Sequence, residues 1–173
     1  MAWKSTAPVV LEEPVLGPDL VRSVTDFIGY EAWCMDENRY DAWMALWEPE
    51  LLYWVPINND DPEPGVMVAI INDNRTQLEQ RMTRLKSRLA YSQQPKSRML
   101  RVVGNVNVLS DEGDTVIATS TFTMGEFRIG RQEIYLGRNI HVLKKRDGRL
   151  RMSEKKVLLL NNDDALGNLT FLV

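Results

Sequence analysis

"RMLRVVGNVNVLSDEGDTVIATSTFTMGEFRIGRQEIYLGRNIHVLKKRDGRLRMSEKKVLLL" (residues 98–160) reads as four long alternating segments broken by short turn signals. "RMLRVVGNVNVL" meets a turn at "SDEGD", and "TVIATSTFTMGEFRI" reverses near Gly130. "QEIYLGRNIHVLKK" meets the hairpin signal "RDGR", and "LRMSEKKVLLL" follows. Period-two alternation rich in Val, Ile, Thr and Phe, punctuated by glycine turns, predicts an antiparallel meander. Gly104, Gly125 and Gly137 fall inside these strands and are predicted bulge or bend points, as a curved sheet requires.

The stretch before the meander has helical periods. In "DLVRSVTDFIGYEAWCMD" (19–36), Leu20, Val24, Phe27, Ile28 and Glu31 recur at 3.6-residue spacing after the start signal Gly17-Pro18. A second helix is predicted over Arg39 to Trp47, with Tyr40, Trp43 and Trp47 along one stripe and Pro49 ending it. "LLYWVPI" (51–57) reads as a strand, "NNDDPEPG" (58–65) as a surface loop, and "VMVAII" (66–71) as a short strand. A third helix opens at Asp73 or Asn74, with a predicted capping box of Thr76 and Glu79 and an apolar face of Leu78, Met82, Leu85 and Leu89. Arg81, Arg84 and Arg88 make an adjoining basic stripe, read as a solvated face or a partner-binding one. Helices preceding a strand series give an α+β fold, one strongly curved sheet wrapping a helix. Residues 1–18 are expected to be an extended N-terminal arm, and residues 19–173 a single domain.

Composition excludes several functions. With 173 residues, 44% hydrophobic and 26% charged, the chain suits one soluble domain. The start, "MAWKSTAPVVLEEPVLGP", has no basic-then-apolar leader pattern, and no apolar run is long enough to span a bilayer, so a cytoplasmic protein is expected. His141 is the only histidine and Cys34 the only cysteine. A structural zinc site takes about four Cys/His ligands, a facial iron site two His and a carboxylate, and a Rieske cluster two Cys and two His. One such chain builds none of them. The first 64 residues hold 13 acidic and 3 basic side chains, and the remainder 11 and 18. That asymmetry has two readings: neutralisation inside one fold, or complementarity between subunits. No nucleic-acid-binding pattern is present.

Five segments in order carry a family resemblance: "YEAWCMDENRYDAWMALW" (30–47), "YWVP" (53–56), "NDNRTQLEQRMTRL" (72–85), "QPKSRMLRVVGNV" (94–106) and "KKVLLLNNDDALGNLTFLV" (155–173). Together they resemble the small (β) subunit of bacterial aromatic-ring-hydroxylating dioxygenases, the Rieske non-haem iron terminal oxygenases. Arg101 stands where many members carry His. The resemblance implies an NTF2-like (cystatin-like) cone, the fold of nuclear transport factor 2, with three helices packed in a strongly curved antiparallel or mixed β-sheet. It implies a non-catalytic assembly subunit with no catalytic, cofactor-binding or metal-binding residues of its own. The implied partner is a large (α) subunit holding a Rieske [2Fe–2S] cluster and a mononuclear Fe(II), fed by NAD(P)H through electron-transfer proteins. The implied assembly is α3β3, with a β trimer holding the α chains so that the cluster of one faces the iron of its neighbour. The complex would add O2 to an aromatic ring, giving a cis-dihydrodiol.

Expected interface residues are Trp43, Trp47 and Trp54, with Arg75, Arg81, Arg84, Ser97 and Arg98. The tryptophans are read as a packing device seating a helix against the sheet, any outward ring serving as an anchor. The arginines are read as fork-like donors to carboxylates across a subunit boundary or within the subunit. Two other classes compete. One is a stand-alone dehydratase or isomerase of this cone fold, using His141 with Asp36 or Asp41 as acid and base. The other is a small-molecule-binding module. A cone filled by Trp, Leu and Phe excludes the enzyme.

Overall fold

The computed structural model describes residues 10–57, 69–86, 96–161 and 171–173. Helix α1 (Leu20–Asp36) starts where Asp19 accepts a hydrogen bond from the Arg22 amide at 3.0 Å, and it buries Val24, Phe27, Ile28, Glu31 and Met35. Asn38, left-handed at φ 54°, ends this stretch, and helix α2 (Tyr40–Ala45) follows. Strand β1 runs Trp47–Pro56 and β2 Ala69–Asp73. Helix α3 (Arg75–Lys86) buries Leu78, Met82 and Leu85. The meander is β3 (Arg98–Glu112), β4 (Thr115–Arg128), β5 (Arg131–Arg146) and β6 (Arg149–Leu159).

All six strands form one mixed sheet in the order β2-β1-β6-β5-β4-β3. Every neighbouring pair is antiparallel except β1 with β6, which is parallel. A 16-residue strand such as β5 would span about 50 Å if straight, more than a domain of this size offers, so these strands must coil. Register shifts between Gly104 and Asn107, and between Val142 and Leu143, supply bends. The concave face takes α1, and the core gathers Phe27, Trp43, Tyr53, Met124, Leu143, Met152 and Leu172.

Three sequence expectations are corrected. The second helix stops at Ala45, and Trp47 is already a strand residue, because the Leu46 carbonyl accepts from the Met152 amide at 2.7 Å and draws the chain onto β6. The α3 cap is Asn74 with Gln77 rather than Thr76 with Glu79. Asn74 N donates to the Gln77 side chain at 2.9 Å, and Gln77 N donates to the Asn74 side chain at 3.1 Å. Of the three glycines, only Gly104 flanks a bulge. Gly137 is needed for space: a Cβ there would lie 2.6 Å from the Leu158 carbonyl oxygen and 2.8 Å from the Phe122 ring, its direct cross-strand partner. Gly137→Ala is therefore expected to cost about 1–3 kcal/mol by overpacking, seen as a lowered urea midpoint with an unchanged slope. The whole 58–65 loop, the start of the 66–71 strand, Arg88 and Leu89 lie outside the described residues.

Two hairpins reverse through paired left-handed residues, Ile129-Gly130 (φ 50° and 72°) and Asp147-Gly148 (φ 48° and 72°). Asp-Gly suits such a turn, whereas a β-branched residue is strained in it. Ile129 is 71% exposed, so no burial compensates. Ile129→Asn is expected to stabilise the isolated subunit by about 1 kcal/mol, raising Tm by about 2–4 °C in a thermal scan.

Candidate functional site

At the base of the cone α1 faces the middle of β5 and β6. Glu31, on the apolar stripe of α1, is 1% exposed and receives three donors. Lys155 Nζ donates to Oε1 at 2.7 Å, Trp43 Nε1 donates to Oε1 at 3.2 Å, and His141 Nε2 lies 3.0 Å from Oε2. An ionised carboxylate only accepts, which places the proton of His141 on Nε2. Burial alone pushes the Glu31 carboxyl up, but the Lys155 ammonium and His141 outweigh it and hold the group well below the ordinary carboxylate range. His141 and Lys155 sit directly opposite each other across β5 and β6, both buried.

Beside this cluster lies a second buried pair. Arg101 N donates to Asp36 Oδ2 at 2.8 Å, and the guanidinium Nε is 2.8 Å from Oδ1. Arg101 Nη2 donates to the Leu172 main-chain oxygen at 3.0 Å. The pairing expected for His141, with Asp36 or Asp41, is not formed. Asp36 is taken by Arg101, and Asp41 is exposed against Lys86. Between Glu31, Arg101, Asn139 and Lys155 the described residues leave a cavity of about 10 Å³, room for about one water. Among the described residues Trp43, Phe27, Phe171 and Leu172 belong to the buried core around it.

The tryptophans are inside the subunit. Trp43, Trp47 and Tyr53 form a triad of edge-to-face rings with centroids 5.3–6.1 Å apart, which locks α2 to β1. Trp54 lies on the opposite face of β1 under Lys156, whose Nζ is 4.4 Å from the ring. Arg81 pairs with Asp73, Arg75 with Glu79 at 2.7 Å, and buried Ser97 donates to Glu126. Arg84 is exposed on α3, and Arg98 stacks over Phe127 at 4.7 Å. Much of the charge asymmetry closes within the chain: Glu13 meets Arg151 at 2.6 Å, Glu48 meets Arg146 at 3.1 Å, and Glu31 meets Lys155.

The surface feature that sequence reading missed is the outer face of the meander. Leu100, Gly125 and Ile134 are in register across β3, β4 and β5, as are Val102, Thr123 and Leu136. Leu100 is 74% exposed, Val102 70% and Ile134 63%, and no member of either row is charged. Leu160, 70% exposed, extends the strip beyond β6. A groove of about 600 Å³ opens between Val102, Thr121, Leu136, Arg138 and Leu160. The signal was present: "RMLRVV" and "EIYLG" carry apolar residues at both parities, as strands covered on both faces do.

Residues 30–163 match the model of the family described as ring hydroxylating beta subunit. The chain belongs to that family. The small oxygenase component of the p-cumate 2,3-dioxygenase system of Pseudomonas putida is 28% identical over 79% of this chain and 77% of its own length. The β subunit of benzoate 1,2-dioxygenase from Burkholderia mallei superposes with a TM-score of 0.72 at 21% identity, covering 86% of this chain and 95% of that one. An NTF2-like protein with a cystatin-like fold from Novosphingobium aromaticivorans gives 0.58 at 14% identity, over 81% of each chain. The NTF2-like α+β cone and the small-subunit role in a ring-hydroxylating dioxygenase, an oxidoreductase, thus hold for this β subunit. Among its described residues no helix is long and apolar enough to cross a membrane, and no three His, Cys, Asp or Glu side chains gather as metal ligands.

Proposed function

We propose that this β subunit is a structural scaffold: three copies meet through the outer face of the meander and hold three α subunits in an α3β3 assembly. The α chains carry a Rieske [2Fe–2S] cluster and a mononuclear Fe(II), and NAD(P)H supplies electrons through partner proteins. The complex adds O2 to an aromatic ring in the cytoplasm, giving a cis-dihydrodiol. Electron transfer falls steeply with distance, so fixing the cluster of one α chain against the iron of the next controls turnover without touching substrate.

The observation that carries this reading is the uncharged strip of Leu100, Val102, Ile134 and Leu136. Contiguous apolar area of this kind, free of charge at its centre, marks a protein interface. A three-fold ring joins two different patches, and the strip with the groove it lines supplies one of them. Purification of the native protein from its host tests the proposal. A larger chain in equal amount and the visible spectrum of a [2Fe–2S] cluster are expected to accompany it. A colourless protein that elutes alone would defeat it.

A further inference from the structure

The large apolar side chains left exposed among the described residues fall into two groups. One belongs to the meander and its flank, from Leu100 to Leu160. The other is Val10, Leu11, Val15 and Val21, 41–66% exposed, on the N-terminal arm and the first turn of α1. Two contacts fix this arm to its own subunit. Leu16 N donates to the Gly148 main-chain oxygen at 2.7 Å. Arg149 Nη1 donates to the Glu13 main-chain oxygen at 3.1 Å, and Arg151 Nη1 donates to the Glu13 side chain at 2.6 Å. Pro14 favours extended backbone at Glu13, and Val10, Leu11 and Glu12 lie exposed beyond this anchor. Among the described residues Glu12 forms no ion pair. Neither does Arg138, the exposed cation beside the groove of Val102, Leu136 and Leu160. The two do not meet within one copy. Arg151, which holds Glu13, lies opposite Lys144 on β5, and six residues of strand separate Lys144 from Arg138, about 20 Å at the usual rise.

We propose that Val10–Val15 of one copy occupies the groove of the next. Val10 and Leu11 pack against Val102, Leu136 and Leu160, and the Glu12 carboxylate meets the Arg138 guanidinium. The inference rests on the trimer reading above and supplies the second, different patch that a head-to-tail ring needs. Each side brings what the other lacks: exposed apolar side chains meet an uncharged apolar recess, and an unpaired carboxylate meets an unpaired cation at its edge. A guanidinium fork suits a carboxylate arriving on an extended segment.

Sedimentation of the full-length subunit over a range of concentrations is the test. Glu12→Arg and Arg138→Glu are each expected to raise the dissociation constant of the trimer by at least about tenfold, since each sets like charges together at every contact. Both changes in one chain reverse the pair and are expected to restore assembly to within about threefold of the parent. All these side chains are exposed, so thermal unfolding should stay at the parent value. Single variants that assemble like the parent, or a double variant as weak as the singles, would overturn the proposal. If the single variants assemble normally while Val102→Asp with Leu136→Asp dissociates, the trimer reading stands and only the arm contact fails. An intact trimer that loses the larger chain from the purified complex on Arg138→Glu would also overturn it, giving the groove to the α subunit. An unaltered chain that is monomeric at every concentration would defeat the trimer reading itself.

Discussion

Glu31→Ala is expected to destabilise the subunit by about 3–5 kcal/mol, a large part of the stability of any domain this size. The substitution removes one carboxylate and strands Lys155, His141 and the Trp43 indole together, the side chains of the two basic residues being 0% exposed. A buried ion pair adds little over a hydrophobic isostere, but breaking one leaves an uncompensated charge in a poorly polarisable interior. Equilibrium urea unfolding at neutral pH measures the loss. The pH profile adds a sharper signature. The Glu31 carboxyl titrates below its ordinary value of 4.5 when folded. Its contribution is therefore complete above about pH 4.5 and drains away as the pH falls towards the folded value. Asp36, pushed up mainly by burial, pulls in the opposite sense. Glu31→Gln is expected to be less stable at pH 7 and to show a flatter acid limb than the parent. Parallel limbs would mean that the carboxylate is not ionised in the fold.

Glu31 also shows how far a sequence can be read. It falls at a helical-period position among Leu20, Val24, Phe27 and Ile28, and a carboxylate on an apolar stripe is itself a sign of a buried partner. Its partner Lys155 was hidden by a bulge. Leu150 and Met152 point inward at even positions of β6, whereas Lys155, Val157 and Leu159 point inward at odd ones. The switch occurs because Ser153 is an extra residue opposite the Val142–Leu143 step of β5. A single inserted residue exchanges the faces of everything beyond it, so strict alternation places Lys155 outside. The break in apolar parity between Met152 and Val157 was the available clue.

The meander itself was legible because each turn is local: Gly113, Ile129-Gly130 and Asp147-Gly148 fix three hairpins within a few residues. The parallel pairing of β1 with β6 was not, since it joins residues about a hundred positions apart and no turn chemistry announces it. The same non-local contact explains Trp47. Helical spacing groups it with Tyr40 and Trp43, but pairing with Met152 draws it into the sheet, and the aromatic triad forms across two elements instead of along one. The candidate interface arginines divide for a similar reason: Arg81 meets Asp73 on the neighbouring strand β2, a contact that periodicity along α3 does not encode.

Val102→Asp combined with Leu136→Asp is expected to shift the subunit from the proposed trimer to monomer in sedimentation velocity while leaving its thermal unfolding within a few degrees of the parent. Both side chains point away from the core, at 70% and 42% exposure, so the isolated fold loses almost nothing when they become charged. In an assembly the effect is the reverse. The two positions share one row, separated by Thr123 on β4, and would place two carboxylates at the centre of each contact with no cation in the row to meet them. Burying even one unpaired charge costs several kcal/mol, and a ring repeats the cost at three interfaces, so association is expected to weaken by at least a hundredfold. The contrast with Gly137→Ala is the control: that change, on the inner face of the same strand, should lower stability without altering the mass of whatever remains folded. If the double aspartate chain still sediments as a trimer, the copies meet elsewhere, and loss of the larger chain from the purified complex is the result that would assign the exposed rows of β3 to β5 to the α subunit.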